Sequence, residues 1–350
     1  MDPRSPAGRP IAAAVGALEQ LPGAPERFRA LLDARALTRT RITDLRDRLE
    51  DVPLPEGTAL VLFGSWGRAE LTGESDVDWA IVIDDPDLAV DGPAVSRAVD
   101  RLRVLLEEDG KQPGGQQIFG GAFHGWRLVD HIGLADDDSA NITRRLLLLF
   151  ESVAIASPDL VDRLKRRVLE RYLMRHSRPH RPPRFLLNDV VRYWRTIGVD
   201  FEGKVAEDRR EGRGEGKFVM RNAKLRTSRK MLYFSGVLPV LLCYYIAPDD
   251  MVDFLGEQFA ALATDRVAQA FLHLGLAESG ARTLGAYSDW IDLLSDPANR
   301  TRLEGLTEET RHEDHVFRAV RHAGNQLDNG LLALLYETDL GPIAQRFITI

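Results

Sequence analysis

One cysteine in 350 residues, Cys243, leaves this sequence without a disulfide framework or a thiolate metal cluster. That thiol sits in the apolar run 237–246, where a buried small hydrophobe is the expected role and a reactive group is not. Uninterrupted apolar stretches of 18 or more residues are absent too, so no segment reads as a bilayer span. Residues 1–10 lack the apolar core of a secretory signal. They carry two arginines, an aspartate and three prolines, and read as a short disordered leader on a cytoplasmic protein. A fixed-period repeat is also missing. What is present is globular: 44% apolar and 28% charged residues, in a chain long enough for two packed bodies.

The net charge of −7 excludes indiscriminate coating of nucleic acid, but it conceals an asymmetry. Residues 163–230 carry 21 Lys and Arg against 8 Asp and Glu, a local +13 inside a remainder of −20. Either a polyanion faces that segment or the acidic remainder pairs with it.

Hydrophobic spacing predicts two amphipathic helices over 11–51, a strand over 59–63 and a second, central strand over 77–83. A helix over 95–108, a Gly- and Gln-rich loop over 109–117 and a third strand over 126–134 follow. From there helices dominate, at about 139–155, 158–176, 183–201, 217–235, 237–246, 249–276, 279–295 and 307–336. The order specifies an α+β chain: a small mixed sheet with flanking helices over 11–135, then an all-α C-terminal module over 136–350.

The chemistry concentrates in Phe63-Gly64-Ser65-Trp66-Gly67-Arg68-Ala69-Glu70, followed by Asp76-Val77-Asp78-Trp79. Side chains two apart on a strand share a face, so Asp76 and Asp78 present paired carboxylates on the side away from Val77. Such a pair suits Mg²⁺ or Mn²⁺, which take oxygen ligands and leave positions for phosphate. Gly64 and Ser65 close one strand and are expected to open a helix whose N–H groups hold phosphate oxygens. Arg68, one turn on, would reach a terminal phosphate or pair with Glu70 or Glu74.

A Gly-Ser turn or an Asp-x-Asp pair alone is common; the two with ten residues between Ser65 and Asp76 are not. In this the sequence resembles the DNA polymerase beta-like nucleotidyltransferase superfamily, over about residues 60–134. The resemblance implies an enzyme that moves an NMP from an NTP to an acceptor hydroxyl, using divalent metal on Asp76, Asp78 and a third acid. Asp130 is the candidate for that third position, with Asp136, Asp137 and Asp138 as competitors. It also implies cationic residues from a helical module that closes the cleft; Arg221 and Lys224, on one helical face with Ser228, are the candidates. Asn188, Asp189, Arg192, Tyr193 and Arg195 form another polar and aromatic face, where Tyr193 or Trp194 would stack on a base or pack in the core. The histidines show no metal-binding spacing.

Three acceptor readings remain open. One is RNA, as for the nucleotidyltransferase toxins of toxin–antitoxin systems, with an antitoxin as protein partner. Another is a small molecule or a nucleotide, in antibiotic modification or oligonucleotide signalling. The last is nucleotide binding without turnover.

Overall fold

In the computed structural model the structure describes residues 11–50, 52–73, 75–107, 118–174, 178–212, 216–307 and 309–348. By contact the chain divides into two units, Ala34–His176 and Met1–Asp33 with Ser177–Ile350; the boundary falls inside the first helix.

Residues 11–51 hold one long helix, α1 (Arg29–Leu49), preceded by 3₁₀ turns at Ala17–Gln20 and Glu26–Phe28, rather than two helices. Pro22 and Pro25 remove backbone donors, and Gly16 and Gly23 take positive φ, so a helix cannot propagate there. The sheet has four strands: β1 (Thr58–Leu62), β2 (Trp79–Ile83), β3 (Gly121–His124) and β4 (Val153–Ala156), in the order β3-β2-β1-β4. β1 pairs antiparallel with β2 and β4, whereas β2 and β3 run parallel, so the sheet is mixed. Every residue of β1 and β2 is buried, as expected of central strands covered on both faces.

Alternation sorts the two faces. Leu60 and Leu62 of β1 with Trp79, Ile81 and Ile83 of β2 form one core with Leu45 of α1 and with Val95, Ala98, Leu102 and Leu106 of α2 (Pro93–Glu107). Val77 and Trp66 pack at its edge. The opposite face meets α5 (Pro158–Leu173), and Gly125 sits so close that a Cβ there would lie 2.9 Å from Leu164 and 3.3 Å from Val82.

The third strand is β3, ending before the expected 126–134. Residues 125–130 are helical, as α3 (Gly125–Asp130), because Leu128, Val129 and the following Ile132 are buried at helical rather than alternating spacing. After α4 (Ser139–Phe150), residues 153–156 leave the expected helix to add β4 beside β1. Beneath the α3–α4 connection Arg145, fully buried, donates to Asp137 at 3.0 and 2.9 Å and to the Tyr172 hydroxyl at 2.6 Å.

The other unit carries α6 (Arg184–Arg210), α7 (Gly216–Lys224), a π-turn at Leu225–Arg229 and α8 (Lys230–Leu242). Then come α9 (Met251–Ala260), α10 (Ala263–His273), α11 (Ala277–Ser295), α12 (Pro297–Glu304), α13 (His315–Tyr336) and α14 (Gly341–Ile348). The expected helix over 249–276 is two helices, parted at Ala261-Leu262, and α14 continues past the expected end at 336. Met231 to Leu242 are buried throughout, and burial pushes the Cys243 thiol well up from its ordinary value, in keeping with a core role. Among the described residues no helix is long and apolar enough to cross a membrane.

Candidate active site

β1 ends where the chain must reverse, and the reversal is built on glycine. Gly64 takes φ +66°, a conformation with no penalty for glycine alone, and a Cβ there would stand 3.1 Å from Oδ2 of Asp78. The Asp78 carboxylate therefore lies over the backbone of the Gly-Ser turn. Register continues one step beyond the strands: the Phe63 amide donates to the Asp78 carbonyl at 2.8 Å. Asp78 shares its face with Ala80 and Val82, while Val77 joins the core on the other side. Asp76 is exposed and Asp78 half-buried. Asp76 makes no side-chain hydrogen bond or ion pair among the described residues.

The segment after Ser65 is a series of turns, not the expected helix. Arg68 donates its amide to Gly64 (3.0 Å), Ala69 to Trp66 (3.2 Å) and Glu70 to Ser65 (2.8 Å), and Ala69 at φ +55° ends the coil. A helix dipole is thus not available to phosphate there. Gly67 explains the tightness, since a Cβ on it would fall 1.8 Å from the Glu151 carbonyl oxygen.

Arg68 is held from both sides. Its Nε donates to Glu70 at 2.7 Å and its Nη1 to Glu151, both carboxylates being buried. Pairing with Glu70 was one of the two sequence expectations; Glu151, between α4 and β4, was invisible to local pattern. A second brace comes from α1, where the buried Thr38 hydroxyl accepts the Leu71 amide at 3.2 Å. The Ser75 hydroxyl accepts from the Thr72 amide at 3.0 Å and closes the loop before Asp76.

Asp130 is the exposed last residue of α3, not a strand residue. β3 runs parallel to β2 and ends beside Ile83, so the chain enters α3 from the end of the sheet opposite Asp78. Asp137 is committed to Arg145 and also accepts the Gly133 amide at 3.0 Å. Asp138 caps α4, accepting from the Asn141 amide at 2.7 Å. Asp136 is exposed. Among the described residues no cluster of three or more His, Cys, Asp or Glu is placed to hold a metal ion. The donors that are present at the turn, two carboxylates, are hard oxygen ligands of the kind Mg²⁺ and Mn²⁺ prefer.

Arg221 and Lys224 lie on α7 in the other unit, where Arg221 donates to Asp208. On α6, Asn188, Arg192 and Arg195 are exposed, Asp189 and Tyr193 are buried, and Trp194 stacks on Tyr233 with ring centroids 5.1 Å apart. The aromatic pair on that helix is thus packing in the protein itself.

Residues 26–121 match the family described as "Putative nucleotidyltransferase DUF294". The nucleotidyltransferase resemblance holds over that stretch. Over 76 residues the chain is 42% identical to a bifunctional uridylyltransferase/uridylyl-removing enzyme of Bordetella pertussis. The counterparts in Bordetella parapertussis and Bordetella avium are 41% and 43% identical over the same length. In each case the aligned part is 21% of this chain and 8% of the relative. No solved structure matches the chain. The nucleotidyltransferase stretch thus covers α1, the Gly-Ser turn, both aspartates and β2, and it ends at the first residue of β3.

Proposed function

We propose that the protein is a Mg²⁺- or Mn²⁺-dependent nucleotidyltransferase that moves an NMP from an NTP to an acceptor hydroxyl. The observation that carries the reading is the Asp78 carboxylate lying against Gly64, with Asp76 exposed two residues before it in the chain. In the reaction the acceptor oxygen bonds to the α-phosphorus, the bond to the bridging oxygen breaks, and pyrophosphate leaves with the electron pair. Asp76 and Asp78 would hold the divalent ion, which supplies charge neutralisation on the triphosphate and lowers the pKa of the acceptor hydroxyl. The amides of the Gly64-Ser65 turn, with the Ser65 hydroxyl, would orient phosphate oxygens. Arg68, spanning Glu70 and Glu151, holds the turn in shape.

RNA is the acceptor class we favour, because residues 163–230 carry the +13 excess noted above. Part of that excess is answered by acids outside the segment, in Arg167–Asp84 and Lys230–Asp328. A second reading, nucleotide binding without turnover, is favoured by the lack of a third gathered acid among the described residues.

The test is incubation with each α-labelled NTP and Mg²⁺ or Mn²⁺, with and without total RNA; UTP comes first because the relatives are named for uridylyl transfer. Label on RNA supports the first reading. A labelled product from NTP alone selects nucleotide or small-molecule chemistry, and saturable NTP binding with no product selects the non-catalytic one.

A further inference from the structure

The face of the sheet that bears Asp78 also carries an aromatic pair. Phe63 opposes Asp78 across β1 and β2, and by alternation with Leu62 it stands on the side away from the α1–α2 core. Its ring is buried, and the Phe119 ring packs on it with centroids 5.4 Å apart and planes at 39°. Phe119 itself is only half-buried. It belongs to the short segment that leads into β3, and that segment is held from two sides. The Gly120 amide donates to the Trp79 carbonyl at 2.7 Å, which sets Phe119 beside the start of β2, where Asp78 stands. The Ile118 carbonyl accepts from Nε of Arg144, on α4, at 3.3 Å.

The other large rings of this unit are placed elsewhere. Trp66 packs at the edge of the core on the opposite face, Phe123 lies under the Arg144 guanidinium, and Trp126 is in α3, beyond the far end of β3. Trp79, Phe150 and Tyr172 are buried. Among the described residues of Ala34–His176, Phe119 is therefore the Phe, Tyr or Trp that keeps solvent exposure at the Asp78 end of this face. An NTP held by its triphosphate at Asp78 and the Gly64-Ser65 turn brings a flat base within one nucleoside length of that carboxylate. A half-exposed aromatic ring binds such a base by its π-face, whatever its hydrogen-bonding edge. We propose that Phe119 stacks on the nucleobase of the incoming NTP, with Phe63 behind it and the Arg144–Ile118 contact fixing its position. The inference rests on the nucleotidyltransferase reading above and adds to it the subsite for the base.

The test uses the full chain with Mg²⁺ and the α,β-methylene analogues of the four NTPs, which bind without transferring, and calorimetry reads the affinity. Inorganic tripolyphosphate, which has no base, is the parallel probe. Phe119→Leu keeps an apolar side chain against Phe63 and removes the π-face. It should weaken the analogues about tenfold and leave tripolyphosphate within about twofold of the parent. Phe119→Tyr restores the ring and should bind the analogues within about twofold of the parent. The proposal is overturned if Phe119→Leu binds every analogue as the parent does. Equal losses for analogues and tripolyphosphate, the mark of a purely structural role, overturn it too, as does failure of Phe119→Tyr to recover. Stacking on the acceptor's base instead would leave analogue affinity in place and raise KM for RNA, which also overturns it. If no analogue binds the parent, the nucleotidyltransferase reading falls along with this one, whereas analogue binding that ignores Phe119 removes this inference alone.

Discussion

Two glycines in the turn do different physical work. Gly64 supplies a positive φ and lets Asp78 approach; Gly67 has no room for a side chain against the Glu151 carbonyl. Gly67→Ala forces backbone to move and should destabilise the protein by about 3 kcal/mol in urea unfolding. Gly73→Ala, with open space around it, should stay within about 0.5 kcal/mol. Asp76→Asn and Asp78→Asn test chemistry instead of packing. Each should lower labelled transfer by about 10³-fold or more, and Asp76→Asn, at an exposed position, should leave the melting temperature in place. Full turnover in either variant would remove the basis of the enzymatic reading.

At the scale of elements, the ion pairs hold loops to the sheet. Arg68 ties the Gly-Ser turn to Glu151 at the α4–β4 junction, so Arg68→Met leaves two buried carboxylates facing one another without a cation. A loss of about 3 to 5 kcal/mol is expected, and adding Glu70→Gln and Glu151→Gln should recover much of it. A pH effect belongs to α13. Burial acts to raise the pKa of Asp314, but the amides of Phe317 and Val316 and the Arg302 guanidinium outweigh it and hold the carboxyl below its ordinary value. A depressed carboxyl contributes stability above its unfolded pKa of about 3.9 and loses it as pH falls through the lower folded value. Asp314→Asn should therefore cost about 1 kcal/mol at neutral pH, through the cap and the Arg302 pair. The gap between variant and parent in urea midpoint should close as the pH is taken well below 4.

For the whole molecule, the metal is expected to act in chemistry and not in folding. The apolar core between the sheet, α1 and α2 is complete without it, and no metal cluster is present among the described residues. Removing divalent ions with EDTA should abolish transfer while far-ultraviolet circular dichroism and the melting temperature stay unchanged. A large loss of stability on chelation would mean that a structural metal has been overlooked.

The α+β class, both central strands and the Gly-Ser turn were legible because each is written locally, in five-residue apolar runs and a turn dipeptide; Asp76 lies three residues before β2, where alternation by two does not fix its face. β3 and α3 were misread, since Leu128, Val129 and Ile132 fit a short apolar strand as well as one turn of helix, and only packing under α4 and α5 decides between them. The partners of Arg68 illustrate the same limit. Glu70 is two residues away and could be named in advance; Glu151 is 83 residues away and arrives only when β4 pairs with β1. Sequence determined which side chains can carry charge and phosphate chemistry, because that follows from residue type and short-range geometry. Tertiary structure decided which of them are taken up by the fold, as Asp137 and Arg68 are, because burial and ion pairing join residues that no local pattern connects.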